Sequence, residues 1–68
     1  MPKKNVEQVI DIATTFMIKT GYTWYKVTGA KFINSSKKWE VSIDVGVTSI
    51  ESKKVFVDDS NGTVVGFE

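Results

Sequence analysis

The chain has 68 residues, a net charge of +1, nine lysines without an arginine, and neither Cys nor His. Those absences exclude disulfides, thiolate nucleophiles, Cys/His zinc sites and the commonest general base. A near-neutral charge offers no global field for nucleic acid or an anionic membrane. Without Arg, bidentate reading of phosphates or base edges loses its usual donor.

The length fits one domain, which at this size buries only about 60% of its unfolded surface, so one layer of core side chains between two structural layers is expected. No stretch reaches the ~18 apolar residues of a transmembrane helix. Glu7 and Asp11 interrupt what would have to be a signal-peptide hydrophobic region. A cytoplasmic chain, or an excised domain carrying a start Met, is the expectation, with no membrane partner.

Met1 to Lys4 reads as a disordered lead-in. Asn5 then has the character of a helix N-cap, with Gln8 three residues on to complete a capping box. Val6, Val9, Ile10, Ala13, Phe16 and Met17 recur at spacings of three and four, and Gly21 follows the last turn. These signals predict a helix over 6–20.

Residues 22–34, rich in aromatic and β-branched types, predict the first strand. A Ser35-Ser36 turn puts Phe32, Ala30 and Thr28 opposite Trp39, Val41 and Ile43. Continued without interruption, that parity buries Tyr22 and Trp24. A bulge at Gly29 instead turns Tyr25 and Val27 inward, and the sequence leaves both arrangements open. Residues 37–47 carry the strongest pattern. Trp39, Val41, Ile43, Val45 and Val47 fall on one parity, and Lys38, Glu40, Ser42, Asp44 and Gly46 on the other.

The third strand, 52–58, places Val55 and Val57 on one face and Lys54 and Phe56 on the other. The fourth, 63–67, follows Asp59-Ser60-Asn61-Gly62. A three-residue loop with Gly62 left-handed sets Val65 and Phe67 on the face of Val55 and Val57, and is preferred because it gathers four apolar residues behind the helix. Short connections favour antiparallel neighbours. The expected fold is α+β, with one N-terminal helix packed on a four-stranded antiparallel meander in two layers, and 1–68 as a single domain.

Few residue patterns suggest chemistry. Asp58 to Gly62 has the start of a calcium loop but lacks the later bidentate Glu, so it reads as a turn capped by its own side chains. Glu40 and Asp44 share a face, but four strand residues separate them by about 13 Å. That exceeds the ~9.5 Å limit of paired glycosidase carboxylates, and pairing with Lys38 and Lys54 fits better. The serines have no His to activate them. No cofactor or metal site is expected, and no enzyme.

Tyr22, Trp24 and Phe56 are the aromatics least clearly assigned to the core, and together they would form an apolar contact patch. Lys26, Lys31, Lys37 and Lys38 beside the aromatics of 22–25 suggest, as an alternative, a weak single-strand nucleic-acid binder.

The second half has a recognisable shape. Lys38-Trp39-Glu40-Val41-Ser42-Ile43-Asp44-Val45, followed by Lys54-Val55-Phe56-Val57-Asp58-Asp59-Ser60-Asn61-Gly62-Thr63-Val64-Val65-Gly66-Phe67, resembles a PepSY-type repeat. It is also similar to the gas-vesicle O family, without that family's Arg-x-Pro-Asp-Thr segment. The element order resembles cystatin-like proteins, without their Gln-x-Val-x-Gly loop. About thirty residues of hairpin and core pattern carry the likeness.

What the PepSY resemblance implies is a small non-catalytic module that binds or inhibits a polypeptide. The partner would be a protein or peptide, or a second copy as a homodimer. The gas-vesicle likeness implies an assembly component instead. Independently of function, Trp39→Ala is expected to cost about 3–5 kcal/mol in denaturant unfolding. A loss below about 1 kcal/mol would remove Trp39 from the core.

Overall fold

The computed structural model describes residues 2–68 and has the expected α+β architecture, with helix α1 (Val6–Lys19) followed by β1 (Lys26–Ile33), β2 (Lys38–Asp44), β3 (Ser52–Asp58) and β4 (Val64–Phe67). The strands form one antiparallel sheet in chain order. Among the described residues no helix is long and apolar enough to cross a membrane.

The helix begins where its side chains satisfy its first free N–H groups. Gln8 N–H donates to Asn5 Oδ1 and Asn5 N–H to Gln8 Oε1, both at 2.9 Å, completing the capping box. It ends in a Schellman motif. Tyr22 N–H reaches the Met17 carbonyl and Gly21 N–H the Ile18 carbonyl, with Gly21 at φ 95°. The buried stripe is Val9, Ala13 and Met17, flanked by Ile12 and Phe16. Val6, expected inside, is 46% exposed. The helix tilts its Ile12 side toward the sheet, a rotation that a spacing pattern of threes and fours does not distinguish.

A helix about 10 Å across spans roughly two strands set about 4.8 Å apart. Accordingly the buried apolar residues of this layer are Trp39, Val41 and Ile43 of β2, Val45 just beyond its end, and Val55 and Val57 of β3. Tyr25, Val27, Ala30 and Phe32 on the β1 side, and Val64 on β4, pack against that core while half-buried.

The β1–β2 register pairs Phe32 with Trp39 and Ala30 with Val41, as expected. The expected pairing of Thr28 with Ile43 does not form. The register shifts between Val27 and Gly29, so Val27 lies opposite Ile43 and Thr28 is the bulged residue. The bulge therefore decides the parity, and Val27 and Tyr25 face the core. The strand also starts later than expected, at Lys26. Residues 22–25 carry the chain from the helix layer down to the sheet, where they cannot pair with β2.

Two further expectations are corrected. β2 ends at Asp44, and Val47 is 81% exposed, because the chain turns back at Gly46. A Cβ at Gly46 would meet the backbone carbonyl of Ser49, so the tight return requires glycine here. In β4, Phe67 pairs with Val55 as expected, but a bulge between Phe56 and Val57 brings Val64 opposite Val57 and leaves Val65 47% exposed. The face shared with Val55 and Val57 is thus held by Val64 and Phe67. The lead-in is tethered too, since the backbone N–H groups of Lys3 and Lys4 bond to Asp59; Met1 lies outside the described residues.

Both outer hairpins use four-residue loops with a left-handed last residue. In 59–62 that residue is Gly62 at φ 73°, with Gly62 N–H donating to the Asp58 carbonyl and Asp58 N–H to the Thr63 carbonyl. In 34–37 it is Lys37 at φ 55°, where a Cβ is strained. Lys37→Gly is therefore expected to raise stability by about 0.5–1 kcal/mol, read as a higher denaturant midpoint at unchanged slope. An unchanged or lower midpoint would show that the Lys37 Nζ bond to Asn34 Oδ1 (3.3 Å) outweighs the strain.

Candidate partner-binding surface

Four acidic side chains of the sheet and its loops, the natural candidates for chemistry, are occupied with structure. Asp44 Oδ1 accepts from the N–H groups of Gly46 and Glu51, both at 3.0 Å, fixing the β2–β3 loop. Those donors, Glu51 first, hold its carboxyl below the ordinary range. Asp58 Oδ1 accepts from the Ser60 hydroxyl at 2.6 Å and from the N–H groups of Ser60 and Asn61, which lower it likewise. This turn is the capped hairpin anticipated from the sequence. Among the described residues no cluster of three or more acidic side chains could hold a metal ion.

Glu40 lies on the open sheet face yet is only 7% exposed. Lys54 Nζ at 3.0 Å and Lys31 Nζ at 3.4 Å close over it from the neighbouring strands. The Lys54 contact is the main reason its carboxyl is held low; burial opposes this, and Lys31 adds to it. Lys54 is raised in return, chiefly by the same bond to Glu40. Cross-strand charge pairing is thus what this face contains, with Lys54 as expected and with Lys31 in the place expected for Lys38.

Asp59 is the second buried acid, 5% exposed. It accepts from Lys3 N–H at 2.7 Å, Lys4 N–H at 3.0 Å and the Trp39 indole N–H at 2.9 Å. Burial is the largest single influence and pushes its carboxyl up. The donors from Lys3, Trp39 and Lys4 together outweigh it, and the net direction is down.

The three aromatics proposed from sequence as one patch are not brought together. Tyr22 packs against the core on the helix side, its ring centroid 6.1 Å from that of Phe67, which in turn lies 5.3 Å from Phe16. Phe56 is on the opposite, open face, across from Gly66, where an added Cβ would stand 3.2 Å from its ring. Trp24 is 43% exposed in the connection before β1. Nor do the lysines of the nucleic-acid reading form a free basic strip. Lys31 is paired with Glu40, Lys37 bonds Asn34, and Lys26 and Lys38 face the fields of Asp44 and Asp58.

Two grooves flank β4 instead. One, of about 360 Å³, runs between α1 and β4 and is lined by Ile12, Thr15, Phe16, Gly62 and Val64, together with Asp11 and Lys19. The other, of about 260 Å³, lies on the open face and is lined by Phe56, Val65, Gly66, Ile33 and Lys38. β4 itself, Val64-Val65-Gly66-Phe67, is an outer strand with no charged residue and no proline. The other outer strand, β1, carries Lys26, Lys31 and the Thr28 bulge, all devices that discourage further pairing. Sequence reasoning missed Ile12, Ile33 and Val65 as groove residues. The uncharged run of β4 was the available signal.

Four carboxylates with lowered folded values make stability depend on pH in one direction. Below the ordinary carboxylate range of about 4, the unfolded chain binds protons that the folded chain does not. Stability from these groups is complete above that range and is lost as pH falls through the lowered folded values. With no His in the chain, the melting temperature is expected to be flat from about pH 5 to 8 and to fall in acid. Asp59→Asn should lower it at neutral pH and flatten the acid slope. An unchanged slope in that variant would mean that Asp59 carries no linked proton.

Comparisons with family models, with curated proteins and with solved structures find no match to this chain.

Proposed function

We propose that this domain is a non-catalytic module that binds an extended polypeptide by strand addition to the outer edge of β4. The observation that carries this reading is an uncharged open edge with an apolar groove on each of its two faces. A strand pairing with β4 sends successive side chains to opposite faces. One set would enter the groove between helix and sheet against Ile12, Phe16 and Val64. The other would reach Phe56 and Val65 on the open face. Main-chain hydrogen bonds would give affinity and the two grooves a preference for alternating apolar residues.

A non-catalytic role is supported by Glu40, Asp44, Asp58 and Asp59, each of which serves a turn, a tether or an ion pair and has its carboxyl held below the ordinary range. The likeness to PepSY-type repeats agrees with a binding role. Phe56 retains its place from the sequence-derived patch, while Tyr22 acts from beneath through Phe67. Trp24 lies outside this surface.

Peptides selected from a random display library against the immobilised domain are expected to show alternating apolar residues. Val65→Lys and Thr15→Arg, both at exposed positions, should weaken them at least about tenfold, equivalent to about 1.4 kcal/mol, without altering cooperative melting. N-methylation of every second peptide amide should abolish binding. Selected peptides indifferent to N-methylation and to both substitutions would place the binding site elsewhere.

A further inference from the structure

Residues 2–4 lie at one end of the groove between α1 and β4 without lining it. The N–H of Lys3 reaches Asp59 Oδ2 at 2.7 Å and that of Lys4 reaches Oδ1 at 3.0 Å. These bonds bring the Lys4 side chain over Gly62. A Cβ at Gly62 would stand 2.9 Å from Lys4 Cε and 3.2 Å from Ile12 Cδ1. Gly62 and Ile12 both line the groove. The Lys4 stem stands where they meet, and so bounds the groove at its Gly62 end.

Two observations make this segment detachable. The helix starts without it, because the capping box of α1 is closed between Asn5 and Gln8 and does not involve Asp59. Nor does its departure strip the carboxylate of every donor. The Trp39 indole N–H stays on Oδ1, and Oδ2, which holds Lys3 alone, then faces water. The hold is otherwise slight. Pro2 has no N–H to give, and Pro2 and Lys3 are exposed.

We propose that residues 2–4 are a strap that closes the Gly62 end of this groove and yields to a long added strand but not to a short one. This rests on strand addition at β4 and names what regulates that site. β4 spans Val64–Phe67. A strand that pairs within those residues leaves the strap in place. One that runs on by two residues past Val64 sends a side chain to the helix side there, since successive side chains alternate. That side chain needs the space filled by the Lys4 stem, so the longer strand stays bound only where Lys4 lifts. Longer partners therefore gain less affinity than their added contacts supply, and their binding frees the amides of Lys3 and Lys4.

The test uses peptides selected for β4 and copies of them lengthened by two apolar residues at either end. Amide hydrogen exchange of Lys3 and Lys4 is expected to be slow in the free domain and with the short peptides. With the copy lengthened at the Gly62 end it should quicken at least about tenfold. Lys4→Ala removes the stem and keeps both backbone bonds to Asp59. It should tighten that lengthened peptide about tenfold and leave the short ones unchanged, whereas Lys4→Arg, which retains a long stem, should bind as the wild type does. Fast exchange of both amides in the free domain overturns the strap. So do lengthened peptides that bind with both amides still slow, or a Lys4→Ala effect equal for short and long peptides; strand addition survives each of these results. If no selected peptide depends on β4, both readings fall.

Discussion

The Asp59 carboxylate accepts three N–H donors at once, two from the backbone of the chain's first turn and one from the Trp39 indole, while its own N–H reaches the Lys37 carbonyl at 3.2 Å. Four regions distant in sequence meet at this residue: the segment leading into the helix, the start of β2, and both outer hairpin loops. In a domain with one helix and a single core layer, few contacts hold the helix to the sheet in register. This buried carboxylate supplies a directional one. Its acceptors are filled by N–H groups rather than by a cation, so it stays ionised without needing a buried positive charge. The indole N–H in turn finds the partner that a buried Trp requires. The ring of Phe32, with its centroid 5.5 Å from that of Trp39, packs against the same side chain from β1.

From that anchor the arrangement of the sheet follows. With its N-terminus fixed over the 59–62 loop, α1 buries the inner faces of β2 and β3 and leaves those of the outer strands half-covered. The two outer strands meet this shortfall differently. β1 keeps lysines and a bulge along its edge, and Lys31 turns over the open face to Glu40. β4 has neither charge nor length, and its own bulge turns Val65 to the open face. Gly66 is covered by Phe56, the way an aromatic cross-strand neighbour shields a strand glycine. The asymmetry of charge between the two edges is what distinguishes β4 as a surface for pairing.

Glu40 illustrates how a solvent-face position can become buried without joining the core. Lys31 and Phe56 lie directly across from it and Lys54 diagonally, and the two ammonium groups converge on its carboxylate. The alternation of β2 assigns Glu40 to the polar face, and that assignment holds. Its burial comes from the partners that antiparallel pairing brings alongside.

The sequence by itself determined the elements that depend on local chemistry. The Asn5–Gln8 capping box, the Gly21 terminator, the alternation of Trp39 to Val45, the bounds of β3 and the left-handed Gly62 are all readable because each is set within a few residues. Their order and short connections then leave an antiparallel meander under one helix as the simplest assembly.

What only the tertiary structure decided are matters of one residue's offset or of distant partners. The bulge at Thr28 and the bulge at Val65 each reverse which neighbours face inward, because side chains alternate with a period of two and one extra residue inverts the pattern. Burial of Asp59 depends on donors 55 and 56 positions away, which no local pattern announces. The candidate surfaces share that dependence. Ile12, Phe56 and Val65 become groove residues only once the strands are registered and the helix is fixed in place.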